Sequence, residues 1–392
     1  MKVGVALRSM LALGLAFESL TVFAQSSVTL YGVVDQAVAY VNNQHGHSNV
    51  QITQGNLYAS KWGLRGTEEL GGGSSAIFDV ENGFSPNTGA FSSSSQEFNR
   101  QAYMGLANKT YGTVTVGRQY TPYYLLVAPL DSSHWLTGAT GAHPGDIDGL
   151  DTSIRVNDAI DYTSPVWNGL QISAMYAFGG IAGAVSRGQT YSAAVNYTNG
   201  PVGVAAGYLL IDNAAPGTNA FSATSTAGFT TSAVNTGYVS AHSIQHVTVA
   251  SNYKLGKWVF GLNYANVEYT PNAQSLFRDT ALFNTYSALA VYNITPSLLL
   301  GGGFSYVTAS KANGIHDAAH YEQYSLKASY ALSPRATLYA IAAFQNADGQ
   351  TLGAAGASDI VSTVATVGDS QQGSPSSTAR QFVSMVGLAF AF

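Results

Sequence analysis

The chain has 392 residues, no cysteine, a formal charge of −5 and 9% charged side chains, whereas tyrosine (24) and glycine (42) are abundant; an ordinary globular chain carries about 25% charged residues. The acidic balance argues against a nucleic-acid partner, and the lack of cysteine excludes a disulfide framework. Beyond the first residues no apolar run reaches the roughly 18 needed for a transmembrane helix, which leaves a membrane barrel open.

Lys2 and Arg8 precede a mostly apolar stretch, Met10 to Phe23, that closes on the small Ala24. This is the pattern of a secretory signal peptide over residues 1–24, cleaved near Ala24 or Gln25. Interrupted by Glu18, the stretch is too short for an anchor. The expected division is a cleaved signal peptide, 1–24, followed by one domain, 25–392.

From "VTLYGVVDQAV" onward, apolar and small or polar residues alternate in segments of about 10, the length at which a tilted strand crosses the hydrocarbon layer. Leu170, Ile172, Ala174, Tyr176 and Phe178 share one face, as do Tyr191, Ala193, Val195 and Tyr197. Trp258, Phe260, Leu262 and Tyr264 form another such row, although Val259 breaks the polar row opposite, and Tyr324, Leu326, Ala328, Tyr330 and Leu332 another. The final "RQFVSMVGLAFAF" places Phe382, Val386, Leu388, Phe390 and Phe392 on one face. A sandwich would need a second apolar layer behind these rows, and the opposite faces do not supply one. Tyrosine and tryptophan gather near the row ends, as the girdles of a membrane barrel require.

Tight links, "ELGGGS", "NKTYG", "VWNG", "TNGP", "KLGK", "ITPS" and "LSPRA", alternate with long polar stretches near residues 41–58, 83–98, 119–155, 179–189, 212–245, 268–283, 307–320 and 346–379. Each tight link holds the Gly, Asn or Pro that a sharp reversal needs. Together they join sixteen strands, with both termini on the tight-turn side and the last strand closing on the first. The third, twelfth and fifteenth strands alternate poorly and leave their registers open.

Sixteen strands enclose a lumen too wide for side chains to fill, so selectivity falls to residues placed inside it. Alternation sets Lys61, Gly63 and Arg65 opposite Trp62 and Leu64; Arg118 and Tyr120 share a face; Arg100 begins the fourth strand and Arg155 the sixth. The third long loop carries the opposite sign, with Asp131, Asp146, Asp148 and Asp151 and no basic residue before Arg155 except histidine. Facing charges of opposite sign create a transverse field across a narrowing, and Asp131 and Asp146 are the acids expected on its loop side. The eight histidines lie in or beside long loops; His242 with His246, and His316 with His320, have helical metal spacing without a helical pattern or an H-E-x-x-H glutamate. No serine stands in a G-x-S-x-G elbow, and "LGGGSS" lacks the Lys-Ser/Thr of a phosphate loop. No catalytic residue, cofactor or metal is expected.

The stretches "SSVTLYGVVD", "KWGLRGTEELGGG", "NRQAYMGL", "GTVTVGRQYTP" and "AIDYTSP", with the terminal phenylalanine, resemble the general-diffusion porins of Gram-negative outer membranes, particularly the beta-proteobacterial branch. The resemblance implies an all-β, sixteen-stranded antiparallel transmembrane barrel that assembles as a homotrimer, with short periplasmic turns and a third loop folded into the pore. It implies an outer-membrane site among lipids and lipopolysaccharide, and passive diffusion of ions and small hydrophilic solutes. By the same resemblance Lys61, Arg100, Arg118 and Arg155 match the basic ladder of the constriction, and Phe392 matches the signal read by the barrel-assembly machinery. The chain departs from the pattern in "AFAF" at its end and "LDSSHWLTG" in the third loop. Two alternatives are a loop-displaying barrel acting in adhesion, with a plugged lumen, and an outer-membrane hydrolase.

Overall fold

The computed structural model describes residues 26–151, 154–214, 221, 227–228, 231–370 and 375–392; the expected signal peptide, 1–24, lies outside them. Sixteen strands form the wall. The first eight are β1 (Ser27–Gln44), β2 (Lys61–Gly71), β3 (Ser74–Gly83), β4 (Gln101–Asn108), β5 (Gly112–Tyr120), β6 (Arg155–Thr163), β7 (Leu170–Ala177) and β8 (Thr190–Asn199). The rest are β9 (Val202–Asp212), β10 (Ser243–Leu255), β11 (Trp258–Thr270), β12 (Ala281–Asn293), β13 (Leu298–Ala309), β14 (His320–Ala331), β15 (Ala336–Asp348) and β16 (Arg380–Ala391). Each pairs antiparallel with the next, and β16 pairs with β1 from Val33↔Ala391 to Val41↔Val383. Closure leaves no strand edge to be satisfied in lipid.

The expected tight links join β2–β3, β4–β5, β6–β7, β8–β9, β10–β11, β12–β13 and β14–β15. Gly200 and Gly256 take positive φ (56° and 58°) in two of them, a conformation that costs glycine nothing. The opposite rim carries the long loops. In the first, His47–Gln54 folds back on the upper half of β1, above its pairing with β2.

The outer rows are the apolar rows of the sequence: Leu326 is 65% exposed and Val386 59%, while Gln323 and Gln381 on the inner rows are buried. Trp258 packs on Tyr292 at 4.5 Å between ring centroids, beside the turn of its own hairpin. Of the strands that alternate poorly, β12 and β15 are regular in register, and β3 is regular except for a shift beside its turn, between Glu69 and Gly71 of β2. In β12 and β15 their inner rows carry Phe283, Leu289, Val291 and Ile341, all buried, because loops cover that part of the lumen wall. Val259 has the same explanation, since it clusters with Leu136 of the third loop. An inner residue under a folded-in loop is no longer in water, so the period-2 polarity contrast disappears there.

Candidate functional site

The third loop leaves β5 through Thr121, whose hydroxyl accepts from Tyr124 N at 3.2 Å and caps helix α1 (Pro122–Val127). Proline at the first position suits this start, its missing N–H being unneeded there. One face of α1 lies flat on β9, where a Cβ on Gly207 would stand 2.8 Å from Val127; in the turn that follows the helix, Leu130 stands 2.8 Å from a Cβ on Gly203. Tyr123 N donates to Ser192 Oγ (3.0 Å) and Asn196 Nδ2 to the Leu126 carbonyl (2.9 Å).

The loop then crosses the lumen. Leu136, 1% exposed, seats in the hollow left by Gly301 and Gly303 of β13. Ser325 Oγ donates to the Thr140 carbonyl (2.8 Å), Gln323 Nε2 to that of Ala142 (2.7 Å) and Lys327 Nζ to that of Trp135 (3.0 Å). The eighth loop joins it, with Gly145 N donating to the Gly368 carbonyl at 2.7 Å.

Inside the loop His143 is buried between two carboxylates, its Nδ1 2.7 Å from Asp148 Oδ2 and its Nε2 3.6 Å from Asp131 Oδ1. Burial alone would lower its pKa, but Asp131 and then Asp148 outweigh it and push it up to about 9. Ser132 Oγ stands 2.9 Å from the same Nε2. Serine, histidine and aspartate are thus in hydrogen-bonded sequence, but Ser132 is 4% exposed and the chain of bonds is enclosed in protein.

Between this loop and the β1–β5 wall lies a cavity of ≈ 450 Å³, lined by Lys61, Arg100 and Tyr120 on the wall side and Tyr124, Leu125, His134 and Asp151 on the loop side. Glu81, buried, ties the wall together: Lys61 Nζ is 2.9 Å and Arg100 Nε 2.8 Å from its two oxygens. Arg100 Nη2 also donates to Tyr120 OH at 2.6 Å, and Arg155 stacks over the Tyr120 ring at 5.2 Å. Deeper along the same wall Arg65 lies over Tyr31 at 4.2 Å and 3.6 Å from Asp79.

Of the expected basic residues, Lys61 and Arg100 line the cavity, and Arg155 stands behind Tyr120. Arg118 pairs with Ala102 across the ladder, its guanidinium bound to the Asn99 carbonyl (2.8 Å) and to Asn157. Asp131 is fully buried, accepting from Ser133 N (3.1 Å) and Oγ (2.9 Å) and from Asn263 Nδ2 (2.6 Å) of β11. Asp146, in the left-handed region at φ 47°, accepts from Asp151 N at 3.0 Å. Asp151 reaches the cavity; burial and then the carboxylates of Asp369 and Asp146 hold its carboxyl well above the usual range. His134 is exposed to the cavity, yet the surrounding protein and then Lys327 push its pKa down. His246 is buried, with Nδ1 2.9 Å from the Asp148 carbonyl, and no cluster of three or more potential metal ligands occurs among the described residues. Sequence reasoning missed Glu81 and Asp79, although "IFDVE" places both opposite Phe78 and Val80.

A family described as Gram-negative porin matches residues 9–350. An outer membrane porin protein of Bordetella pertussis is 29% identical over 213 residues, 47% of this chain and 54% of that protein. Outer membrane porin protein 32 of Delftia acidovorans is 34% identical over 212 residues, 51% of this chain and 58% of that one. The chain thus aligns with little more than half the length of these relatives. In fold it is similar to the anion-selective porin from Comamonas acidovorans, with a TM-score of 0.70 and 24% identity over 94% of this chain and all of that one.

Proposed function

The chain belongs to the Gram-negative porin family, and from that premise we propose that it forms a water-filled outer-membrane channel through which ions and small hydrophilic solutes diffuse passively, with a preference for anions. The observation that carries the preference is the charge balance of the cavity. Lys61 and Arg100 share the single carboxylate Glu81, which leaves that trio one positive charge in excess. On the loop side Asp131 and Asp148 share one cation, His143, which leaves one negative charge enclosed within the loop, while burial and the neighbouring carboxylates disfavour the charged form of Asp151; on the wall Arg118 and Arg155 add two further positive charges. A net cation in a low-dielectric narrowing attracts anions more strongly than one on an open surface. The anion selectivity named for the Comamonas acidovorans porin agrees with this balance.

The test is reconstitution into planar bilayers under a potassium chloride gradient. Stepwise conductance with a chloride-directed reversal potential supports the reading; no conductance overturns the channel, and a potassium-directed potential overturns the preference. Lys61→Glu replaces the more accessible cation of the pair and moves the reversal potential toward cations, most at low salt, where screening is weakest.

A homotrimer belongs to the same proposal. The outer row of β2, Trp62, Leu64, Gly66 and Glu68, is poorly suited to lipid, and Phe98 of the second loop lies edge-on to Trp62 at 6.2 Å. The mass of the detergent-extracted complex tests it. Removal of residues 1–24 before insertion is tested by the N-terminus of the mature protein.

A further inference from the structure

Helix α1 is apolar all round, "PYYLLV", and buries Pro122, Tyr123, Leu126 and Val127, with Tyr124 partly buried at the edge of the same cluster. Its other face turns Tyr124 and Leu125 toward the cavity, and Leu125 is 45% exposed. A helix packed on one side ordinarily presents polar residues on the other. Tyr58 of the first loop, 53% exposed, faces the same space with Leu57 beside it, and Ala128 and Leu150 complete an apolar lining. Neither Tyr58 nor Leu125 lies on a lipid-facing row, so their exposure is not explained by the membrane. Opposite them stand Lys61 and Arg100, and of this pair Lys61 keeps the more accessible side chain, 28% against 8%. The cavity, ≈ 450 Å³, falls within the roughly 300–1,000 Å³ of small-molecule sites.

We infer that this cavity is a binding subsite for amphiphilic monocarboxylates, with the carboxylate at Lys61 and an aromatic or branched apolar body against Tyr124, Leu125 and Tyr58. The inference rests on the anion-preferring reading above and narrows it from hydrated ions to one solute class. A carboxylate at Lys61 Nζ shares the cation with Glu81 and keeps contact with water. The apolar body covers α1 and replaces water on a surface that gains nothing from it. Tyr124 is itself steadied by the Tyr120 ring at 5.0 Å, so the platform is ordered before a solute arrives.

The experiment measures chloride current through the reconstituted full-length channel while phenylacetate, acetate or benzylammonium is added at increasing concentration. Phenylacetate is expected to reduce the current at a concentration about tenfold below that of acetate, the gain of burying part of an aromatic ring. Benzylammonium, of similar shape and opposite charge, is expected to act no better than acetate. Leu125→Asn should bring phenylacetate and acetate together, and Lys61→Gln should weaken both. Equal action of phenylacetate and acetate in the unaltered channel overturns the subsite, as does equal action of phenylacetate and benzylammonium. A cation-directed reversal potential with phenylacetate still favoured over both probes overturns the selectivity reading and upholds the subsite, so the two ideas fail separately.

Discussion

His143 is the residue on which the third loop turns back, and its charge is the cation nearest to two carboxylates that no water reaches. Its pKa is raised from the ordinary 6.5 to about 9 in the fold, so the stabilisation is fully present below about 6.5 and is lost as pH rises through about 9. The groups facing it are Asp131 and Asp148, with Ser132 on Nε2 and Asp146 farther off. Raising the pH of the reconstituted channel from about 7 to about 10 should therefore increase open-channel noise as the loop loosens. His143→Gln removes the cation and leaves both carboxylates buried without it, a change worth about 3–5 kcal/mol locally. That variant should be noisy already at neutral pH, with a flatter pH dependence; noise equal to that of the unaltered channel at both pH values would refute the pin.

Among the elements, the third loop shows how a constriction is held without covalent bonds. It is fastened at both walls, by α1 on Gly207 and Leu130 on Gly203 of β9 and by Leu136 in the Gly301–Gly303 hollow of β13. A side chain at Gly303 would overlap Leu136 Cδ1, so Gly303→Val and a seated Leu136 are incompatible. Overpacking of this kind costs about 1–3 kcal/mol. The expected outcome is a barrel that still folds, judged by anomalous mobility in unheated gels, but with altered mean conductance and frequent current fluctuations. Adding Leu136→Ala to the same protein should restore a steady current. If the single variant conducts like the parent, the loop does not depend on that seat. The run "LLLGGGFSY" carried the signal for the hollow, but three glycines in a strand do not say which distant leucine fills the space.

At the scale of the molecule, closure joins residues from opposite ends of the chain. Tyr339 of β15 reaches across Gly387 of β16 to Asp35 of β1, whose carboxylate also accepts from Leu57 N (2.6 Å) and Tyr58 N (2.7 Å) of the first loop. Gly387 is necessary to that contact, since a Cβ there would overlap the tyrosine hydroxyl oxygen. Phe392 completes the seam: its N donates to the Gly32 carbonyl (3.0 Å), Gly32 N donates to its carbonyl (3.1 Å), and the ring covers Gly32 on the outer face. Deleting Phe392 should lower the assembled, heat-modifiable fraction several-fold and leave the single-channel conductance of the inserted fraction unchanged, since the ring lies on the side away from the lumen. A changed conductance with normal assembly would reverse that assignment.

The wall of this protein was legible in its sequence because a strand between lipid and water must alternate, and a turn between neighbouring strands must contain residues that can turn. Both are local requirements, met within about ten residues, so the strand number, the turn side and the lipid-facing row of Phe382–Phe392 could be read off directly. Where alternation failed, at Val259 and in β12 and β15, the cause was distant: loops folded into the lumen and took those inner rows out of water. The constriction was legible in part. Lys61 and Arg100 could be placed on the wall, but the partner of each charge depends on which loop atoms approach within a few ångströms, and Coulomb energies in a low dielectric follow that distance and not the sequence. Glu81 beneath the basic pair and His143 between Asp131 and Asp148 were settled only by tertiary structure, because their neighbours come from segments that meet only when the barrel closes around the loop.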